Sequence, residues 1–356
     1  TRSLLAIYNG TGVEVKTEAD LNKIQSNDPE VLRAAAFFRS IYANGFTYED
    51  YKSEMERASF FVNKALNIDF TPREIIGDNP DVIADTVYGN NDVEGPRADH
   101  GTPVSGMIAA IRNNDEGIDG IANDVQIMAL RVVPNGDERD KDIAMAIRYA
   151  ADNGANIINM SFGKHISPNK KMVDDAIQYA VSKGLLLIHS AGNDGINLDE
   201  TPMYPTNEYA DGSKIQAWIV VGSNRMENNK KVPSIFSNYG VYHVDLFAPG
   251  EQVVSLDTGN AYTVIDGTSF SGPVVTGVAA MVWSYYPDLT ATELAALLTE
   301  HCYHVEKPKK VMVPNLESPK REKAKFNTLC SSGGIVNAYL IIKSLQEEES
   351  EMVLSE

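Results

Sequence analysis

The chain has 356 residues, 43% of them hydrophobic and 22% charged, so it can bury one large core or one core with a small appendage. Its formal net charge of −18 argues against a nucleic-acid partner, because phosphates would be repelled. No apolar run reaches the roughly 20 residues needed to cross a bilayer, so we predict no membrane span. Two cysteines, Cys302 and Cys330, allow one disulfide but no disulfide framework.

The first 70 residues have a helical pattern. Asp28 followed by Pro29 is typical of a helix start, and Thr47 with Asp50 three residues later is typical of a second one. We therefore predict that residues 1–70 form a helical insertion packed on the surface of the core. A lid that gates substrate is the less favoured alternative.

A loop rich in Asp, Asn, Pro and Gly is predicted over residues 72–95. Residues 89–94 carry oxygen ligands of the kind that Ca²⁺ takes, but their spacing matches no defined loop such as the EF-hand. Ordinary turn chemistry is the interpretation that we favour, with calcium as the alternative.

From residue 100 onward the pattern alternates between helix and strand. Helices are predicted over 100–111, 142–153 and 172–182, and short apolar strands over 126–133, 156–160, 185–190 and 218–222. This order predicts an α/β fold with a doubly wound parallel sheet and helices on both faces. Residues 161–163 and 191–193 follow two of these strands, and open α/β sheets bind ligands at that edge.

The carboxyl-terminal part is predicted to be helical around a polar loop. Thr290 with Glu293 forms a capping box for a helix over 293–301, residues 307–325 are predicted to be a surface loop, and 333–345 a last helix. We expect residues 346–356 to be a solvated acidic tail.

A serine at the start of a predicted helix is the strongest candidate for chemistry. Ser269 lies in the string G-T-S-F-S-G-P over residues 267–273, directly before an apolar run. A helix amino terminus presents free N–H groups and partial positive charge, which favour a nucleophilic oxygen and an oxyanion. Taken alone, the same string is typical of an ordinary helix cap.

Three strings in one order resemble the subtilisin-like serine proteases, the subtilases. They are H-G-T-P-V-S-G at 100–106, S-A-G-N-D-G at 190–195 and G-T-S-F-S-G-P at 267–273. The similarity extends to residues 158–163, 236–240 and 247–250, and covers about 88–283. It implies a catalytic domain over 71–345, a polypeptide substrate, no organic cofactor, and a secreted, periplasmic or cell-surface location.

The resemblance also implies a role for each site residue. Ser269 would be the nucleophile, His100 the general base, and the Asn193 amide an oxyanion donor. Met203 would lie at the floor of the primary specificity pocket, so we predict a shallow pocket that prefers small or medium P1 side chains. The segments expected to bind an extended substrate consist of Ser161, Phe162, Gly163, Ala191 and Gly192.

The carboxylate of the expected triad has no counterpart in the sequence. Subtilases carry it in an Asp-[Ser/Thr]-Gly string before the histidine, and residues 1–100 contain no such string. Asp99 adjoins His100, and an adjacent residue at a helix start does not face the ring. The other acidic residues considered, none with an apolar strand before it and a glycine turn after it, are Asp69, Asp78, Asp81, Asp85 and Asp92.

Two explanations of the missing carboxylate remain open. The favoured one is a subtilase with a long insertion between its Asp and His motifs, the Asp being supplied by a separate or removed amino-terminal segment. The alternative is a catalytically impaired pseudoprotease that binds extended peptides. The remaining histidines match no zinc spacing, and His189 is predicted to be a buried core residue.

Overall fold

Two units make up the chain, Thr1–Asn79 and Pro80–Glu356. The computed structural model describes residues 2–355 apart from 68, 80–81, 83, 85–86, 96–97, 134–137, 227–231, 307–308 and 319. The predictions for Asp81 and Asp85 therefore lie outside the described residues.

The first unit is helical, as its pattern predicts. Its helices are α1 (Arg2–Thr11), α2 (Pro29–Ala43) and α3 (Tyr48–Phe60). The Asp28 carboxylate accepts the Glu30 N–H at 2.7 Å, and Thr47 and Asp50 form the predicted capping box. A small apolar core centred on Ile7, Leu21 and Phe38 holds the unit together.

A six-stranded sheet forms the centre of the second unit. Its order is β1-β2-β3-β4-β10-β7, parallel throughout except for β7 at one edge. Its strands are β1 (Ile157–Met160), β2 (Leu186–Ser190), β3 (Trp218–Asn224), β4 (Leu246–Pro249), β7 (Tyr303–His304) and β10 (Gly334–Ile335). Two small antiparallel pairs lie outside it, formed by β5 (Val253–Asp257) with β6 (Ala261–Ile265) and by β8 (Val311–Met312) with β9 (Lys323–Ala324).

Helices cover both faces of this sheet because its strands are apolar on both sides. The helices of this unit are α4 (Gly101–Ala109), α5 (Asp140–Asp152), α6 (Lys170–Ser182), α7 (Thr268–Tyr285), α8 (Ala291–Glu300) and α9 (Ala338–Ser355). Side chains alternate along β2: Leu187 packs with α5 and α6, whereas Leu186 and Ile188 pack with α7, α8 and α9. The predicted doubly wound α/β architecture is confirmed.

The strand predicted over 126–133 is wrong. The described part of that segment, up to Val133, is irregular, and its Ile127 and Met128 side chains are 46% and 40% exposed. An apolar run becomes a strand only where another strand pairs with it, and no described strand does so here. The last helix is also longer than predicted, since α9 continues to Ser355 through the segment expected to be a tail.

The outer edge of β1 is open among the described strands. In a parallel pair, successive residues of a strand direct their backbone groups to opposite sides. Leu186 N–H donates to the Asn156 carbonyl across the β2 side, so Ile157 and Asn159 direct their backbone groups to the open edge. No helix in the described part of the chain is long and apolar enough to cross a membrane.

Candidate active site

Ser269 lies in the first turn of α7, where the chain leaves a tight glycine turn. Gly267 precedes this helix with φ 151°, in the region of backbone space that favours glycine. The Gly267 N–H donates to the Gly250 carbonyl at 2.8 Å, which ties the turn to the end of β4. α7 is buried along most of its length, so the serine stands on a rigid element.

Thr268, next to the serine, is held from two directions. It is fully buried, and both its N–H and its hydroxyl donate to Asn193 Oδ1, at 2.8 and 3.0 Å. Its hydroxyl accepts the Gly192 N–H at 3.0 Å, and its carbonyl accepts the Ser190 hydroxyl at 2.8 Å. The carboxyl end of β2 and the serine turn are therefore one hydrogen-bonded unit.

Two N–H donors remain available beside Ser269. The oxygen of the Asn193 amide is anchored on Thr268, while its NH₂ group has no acceptor among the described residues. The Ser269 backbone N–H is likewise unpaired there, as expected in the first turn of a helix. This arrangement can hold an oxyanion, and the helix dipole adds to its positive potential.

The turn that carries Asn193 is shaped by Asn238. This side chain is fully buried, and its Oδ1 accepts the N–H groups of Asp194 and Ile196 at 3.0 and 3.1 Å. Its Nδ2 donates to the Ala191 carbonyl at 2.9 Å. The turn is thus fixed from behind, with Gly192 at φ 98°.

The segment 161–163 runs beside the serine turn. Ser161 Oγ donates to the Ser269 carbonyl at 2.8 Å and accepts from Asn159 Nδ2 at 2.9 Å. The Ser269 hydroxyl lies 3.4 Å from the Ser161 carbonyl. Gly163 has no backbone hydrogen-bond partner among the described residues, so both of its backbone groups are available to an extended chain.

Met203 lies between the two candidate binding segments. A Cβ at Gly163 would be 2.8 Å from Met203 Sδ, and a Cβ at Gly192 would be 2.5 Å from the same atom. A side chain at either position would therefore require the thioether to move. The space between the segments is occupied by Met203 rather than left open.

His100 lies near the serine turn without joining its network. It precedes α4, and its ring centroid lies 5.8 Å from that of Phe270. His100 is an exposed residue, yet partial desolvation of its ring lowers its pKa, an effect that the Asp99 charge partly offsets. No hydrogen bond joins the His100 ring to Ser269 in the described part of the chain.

None of the described acidic residues serves as a partner for His100. The Asp78 carboxylate is buried against Arg73, at 2.6 Å from its Nε, and Asp92 Oδ1 accepts the Gly95 N–H at 2.7 Å. Across the described ranges, no carboxylate lies within hydrogen-bond distance of the His100 ring. The structure thus brings Ser269, Asn193 and the two binding segments together, and no carboxylate of the described residues joins the histidine.

Three positioning residues escaped the sequence analysis: Asn159, Thr268 and Asn238. All three lie inside stretches that carry the resemblance, but only their contacts reveal what they do. The loop 89–94 shows turn chemistry, since Asp92 N–H donates to Asn90 Oδ1, and the described residues contain no group of three His, Cys, Asp or Glu that suits a metal. Calcium at this loop stays a prediction.

Comparisons with known proteins agree with this geometry. Residues 43–329 match the model of the subtilase family, Peptidase S8. The chain is 35% identical over 243 residues to a thermophilic serine proteinase of Bacillus sp. (strain AK1), covering 67% of this chain and 56% of that protein. It is 36% identical over 186 residues to thermitase of Thermoactinomyces vulgaris, covering 52% of this chain and 61% of thermitase. The matched part is therefore less than two thirds of each relative's length.

Solved structures give the same result. A protease of Pseudoalteromonas arctica superimposes with a TM-score of 0.54 at 27% identity, covering 69% of this chain and 70% of that chain. A lanthipeptide protease does so with a TM-score of 0.52 at 26% identity, covering 69% of this chain and 75% of that chain. With a family match over most of its length and a serine turn of this geometry, the chain belongs to the subtilase family of serine peptidases.

Proposed function

We propose that this protein hydrolyses peptide bonds in extended polypeptides, as a serine endopeptidase. The observation that carries the proposal is the anchoring of Asn193 on Thr268. With the Ser269 N–H at the helix start, this gives two donors that have no acceptor among the described residues and lie beside the Ser269 hydroxyl, where a tetrahedral oxyanion would form. Belonging to the subtilase family supports the same reaction.

Each step of the proposed reaction is assigned to a named residue. Ser269 Oγ attacks the peptide carbonyl while His100 takes its proton, and His100 then gives that proton to the leaving amine as the C–N bond breaks. Water, deprotonated by the same ring, releases the acyl group. The lowered pKa of His100 keeps the imidazole neutral, and so able to accept a proton, at neutral pH.

We propose that the missing carboxylate arrives on one additional strand, supplied by a separate or removed segment. Three observations support this: the open edge of β1, the unpaired apolar run at 126–133, and a His100 ring without a carboxylate partner in the described part. A strand added at that edge would extend the sheet, and its carboxyl end would lie at the edge of the sheet that carries the site.

We propose that the preferred substrates carry a small or medium P1 side chain. Met203 Sδ lies where any Cβ on Gly163 or Gly192 would clash, so it takes up the space between the two binding segments. A large P1 side chain would have to displace it.

A peptide-binding pseudoprotease is the second candidate. The observation that favours it is the Ser269 hydroxyl, which contacts the Ser161 carbonyl at 3.4 Å and does not contact His100. Without a carboxylate to orient the imidazole, turnover in subtilisins falls by about 3 × 10⁴.

A secreted or cell-surface location also stays a prediction.

Labelling with a fluorophosphonate probe tests the proposal, with mass spectrometry of the modified peptide. We expect stoichiometric labelling at Ser269, none in Ser269→Ala, and slower labelling in His100→Ala. A synthetic apolar strand that ends in Asp-Ser-Gly should accelerate the labelling, and the same strand ending in Asn-Ser-Gly should not.

Each other outcome has a distinct meaning. Labelling that the added strand leaves unchanged would contradict the strand proposal alone. No labelling with or without the strand, in a protein that still binds extended peptides, would support the pseudoprotease.

A further inference from the structure

A buried histidine lies directly behind the candidate substrate-binding segment. His189 is the fourth residue of β2 and is 2% exposed. Its Nε2 lies 2.8 Å from the carbonyl oxygen of Phe162. Its ring also contacts the rings of Phe162 and Trp218, with centroids 6.4 and 5.7 Å away. The mechanism above gives this residue no role.

The protonation state of His189 decides which atom donates. Burial lowers its pKa to about 4, so the ring is neutral at neutral pH. A carbonyl oxygen only accepts, so Nε2 must carry the hydrogen and Nδ1 the lone pair. His189 is therefore a permanent hydrogen-bond donor to Phe162 under physiological conditions.

The Phe162 carbonyl and the Gly163 N–H belong to the same peptide unit. This unit is planar and trans, so its C=O and N–H point in opposite directions. Since His189 holds the Phe162 oxygen toward the interior, the Gly163 N–H must point away from the interior, toward the cleft.

The next residue along the chain supports the same orientation. Lys164 N–H donates to the Tyr204 carbonyl at 3.1 Å, and Lys164 accepts the Tyr204 N–H at 2.7 Å. In such an antiparallel bridge both backbone groups of Lys164 face Tyr204, so those of Gly163 face the other way. Gly163 has no partner among the described residues, in agreement with this geometry.

We propose that His189 is a positioning residue for substrate binding, which acts by fixing the peptide unit between Phe162 and Gly163. The proposal rests on the proposed function only in that the segment 161–163 receives an extended peptide. With the donor removed, the Phe162 carbonyl would be buried without a partner, and the peptide unit would rotate to satisfy it. The Gly163 N–H would then leave the orientation that a substrate carbonyl needs.

A matched pair of variants isolates the hydrogen bond. His189→Phe keeps a planar ring without a donor, whereas His189→Gln places an amide N–H at similar reach. Both are made in a Ser269→Ala background, and the affinity for an acetylated, amidated hexa-alanine peptide is measured by calorimetry. We expect five- to tenfold weaker binding for His189→Phe, which corresponds to the loss of about one hydrogen bond, and recovery to within twofold in His189→Gln.

A second readout separates positioning from general damage to the site. The rate of fluorophosphonate labelling of Ser269, measured with the serine restored, should change less than the peptide affinity, because the probe has no peptide group that could pair with the Gly163 backbone. Equal losses in both readouts would overturn the proposal. Unchanged hexapeptide affinity in a folded His189→Phe protein would also overturn it.

The unmodified chain provides a test that needs no variant at His189. The Gly163 amide should exchange its hydrogen rapidly in the free protein and become protected when the hexapeptide binds. The imidazole nitrogens should show the Nε2–H tautomer throughout pH 6–8. A protected Gly163 amide in the free protein, or a hexapeptide that does not bind at all, would overturn the proposal. Peptide binding without labelling of Ser269 would refute only the proposed catalysis.

Discussion

The site has two sides, a serine side around Thr268 and Ser269 and a histidine side around His100. They differ in the hydrogen bonds that fix each one. Thr268 is fully buried and takes part in four hydrogen bonds to three residues at the end of β2 and in the turn that follows it. His100 is exposed, and its ring lies beside the Phe270 ring. The proposed oxyanion donors are therefore preorganised, whereas the proposed general base has nothing in the described part of the chain to orient its ring.

The geometry of the two sides depends on different interactions. The serine side is ordered by buried hydrogen bonds, which are costly to leave unmade and so define one geometry. An imidazole at a surface acquires a fixed tautomer only through a partner for its second nitrogen. A change on the serine side should thus disrupt what already exists, and a change on the histidine side should mainly alter what an added partner completes.

The largest effect is expected at Asn193. Removing an oxyanion donor costs about 10²–10³ in rate in subtilisins, so the Ser269 labelling rate should fall by that factor in both Asn193→Ala and Asn193→Asp. The two variants should differ in stability. Asn193→Ala leaves the buried Thr268 N–H unpaired and should cost roughly 1–3 kcal/mol in urea unfolding, whereas the Asp side chain still accepts it. A labelling rate within tenfold of the parent would contradict the oxyanion role.

The second-largest effect is expected from the buried His189. Its titration should change the free energy of unfolding and should leave the protonation of His100 unchanged. Its pKa of about 4 in the folded state lies below the ordinary 6.5, so the unfolded chain binds the proton more tightly between these values. Its contribution to stability is therefore lost as pH falls from about 6.5 to 4. Asp245 acts in the opposite direction, because burial raises its pKa to about 6, so its contribution is lost as pH rises from about 4 to 6.

The opposite pH dependences that His189 and Asp245 give to stability should nearly cancel in the parent. A variant that lacks one of these groups should show the pH dependence of the other. In Asp245→Asn, which keeps an acceptor for the Val220 N–H, the free energy of unfolding should rise by roughly 3 kcal/mol from pH 4 to 6.5. Urea titrations at four pH values measure it, with the parent as control. A flat profile in Asp245→Asn would show that His189 titrates normally.

The third prediction concerns the pocket between the binding segments. Met203→Gly should open the space now taken by the thioether and raise the preference for P1 Phe over P1 Ala by at least about tenfold. Met203→Leu is the matched control, since it keeps a side chain of similar volume and should retain the preference for small or medium P1 side chains. Competition between hexapeptides with Phe or Ala at P1 measures the change. A parent that already favours Phe would contradict the proposed P1 specificity.

The smallest effect is expected at an exposed ion pair of the serine side. His165 Nε2 lies 3.7 Å from Asp194 Oδ2, with both side chains about half exposed. Water screens such pairs, so His165→Ala should change stability by less than about 0.5 kcal/mol and the labelling rate by less than twofold. A larger loss would mean that surface contacts also hold the serine side, against the comparison drawn above.

Much of the fold was predictable from local pattern. The helix starts at Asp28, Thr47 and Thr290 follow from side chains that cap backbone N–H groups nearby in the chain, and all three form as predicted. The run at 126–133 has the composition of a strand but no partner among the described strands, and pairing is not a property of the run itself. The β5–β6 hairpin, which the sequence analysis missed, forms because two segments meet across a turn.

The sequence by itself determined the candidate functional groups: a serine at a helix start, an amide on a glycine turn and a histidine opening a small-residue helix. Those assignments are local, since each depends on a few neighbouring residues. Only the tertiary structure decided that Asn193 is anchored on Thr268, that Met203 fills the space beside two glycines, and that His189 lies behind Phe162. Such contacts join residues far apart in the chain, and their energies depend on burial and geometry that only the folded protein provides.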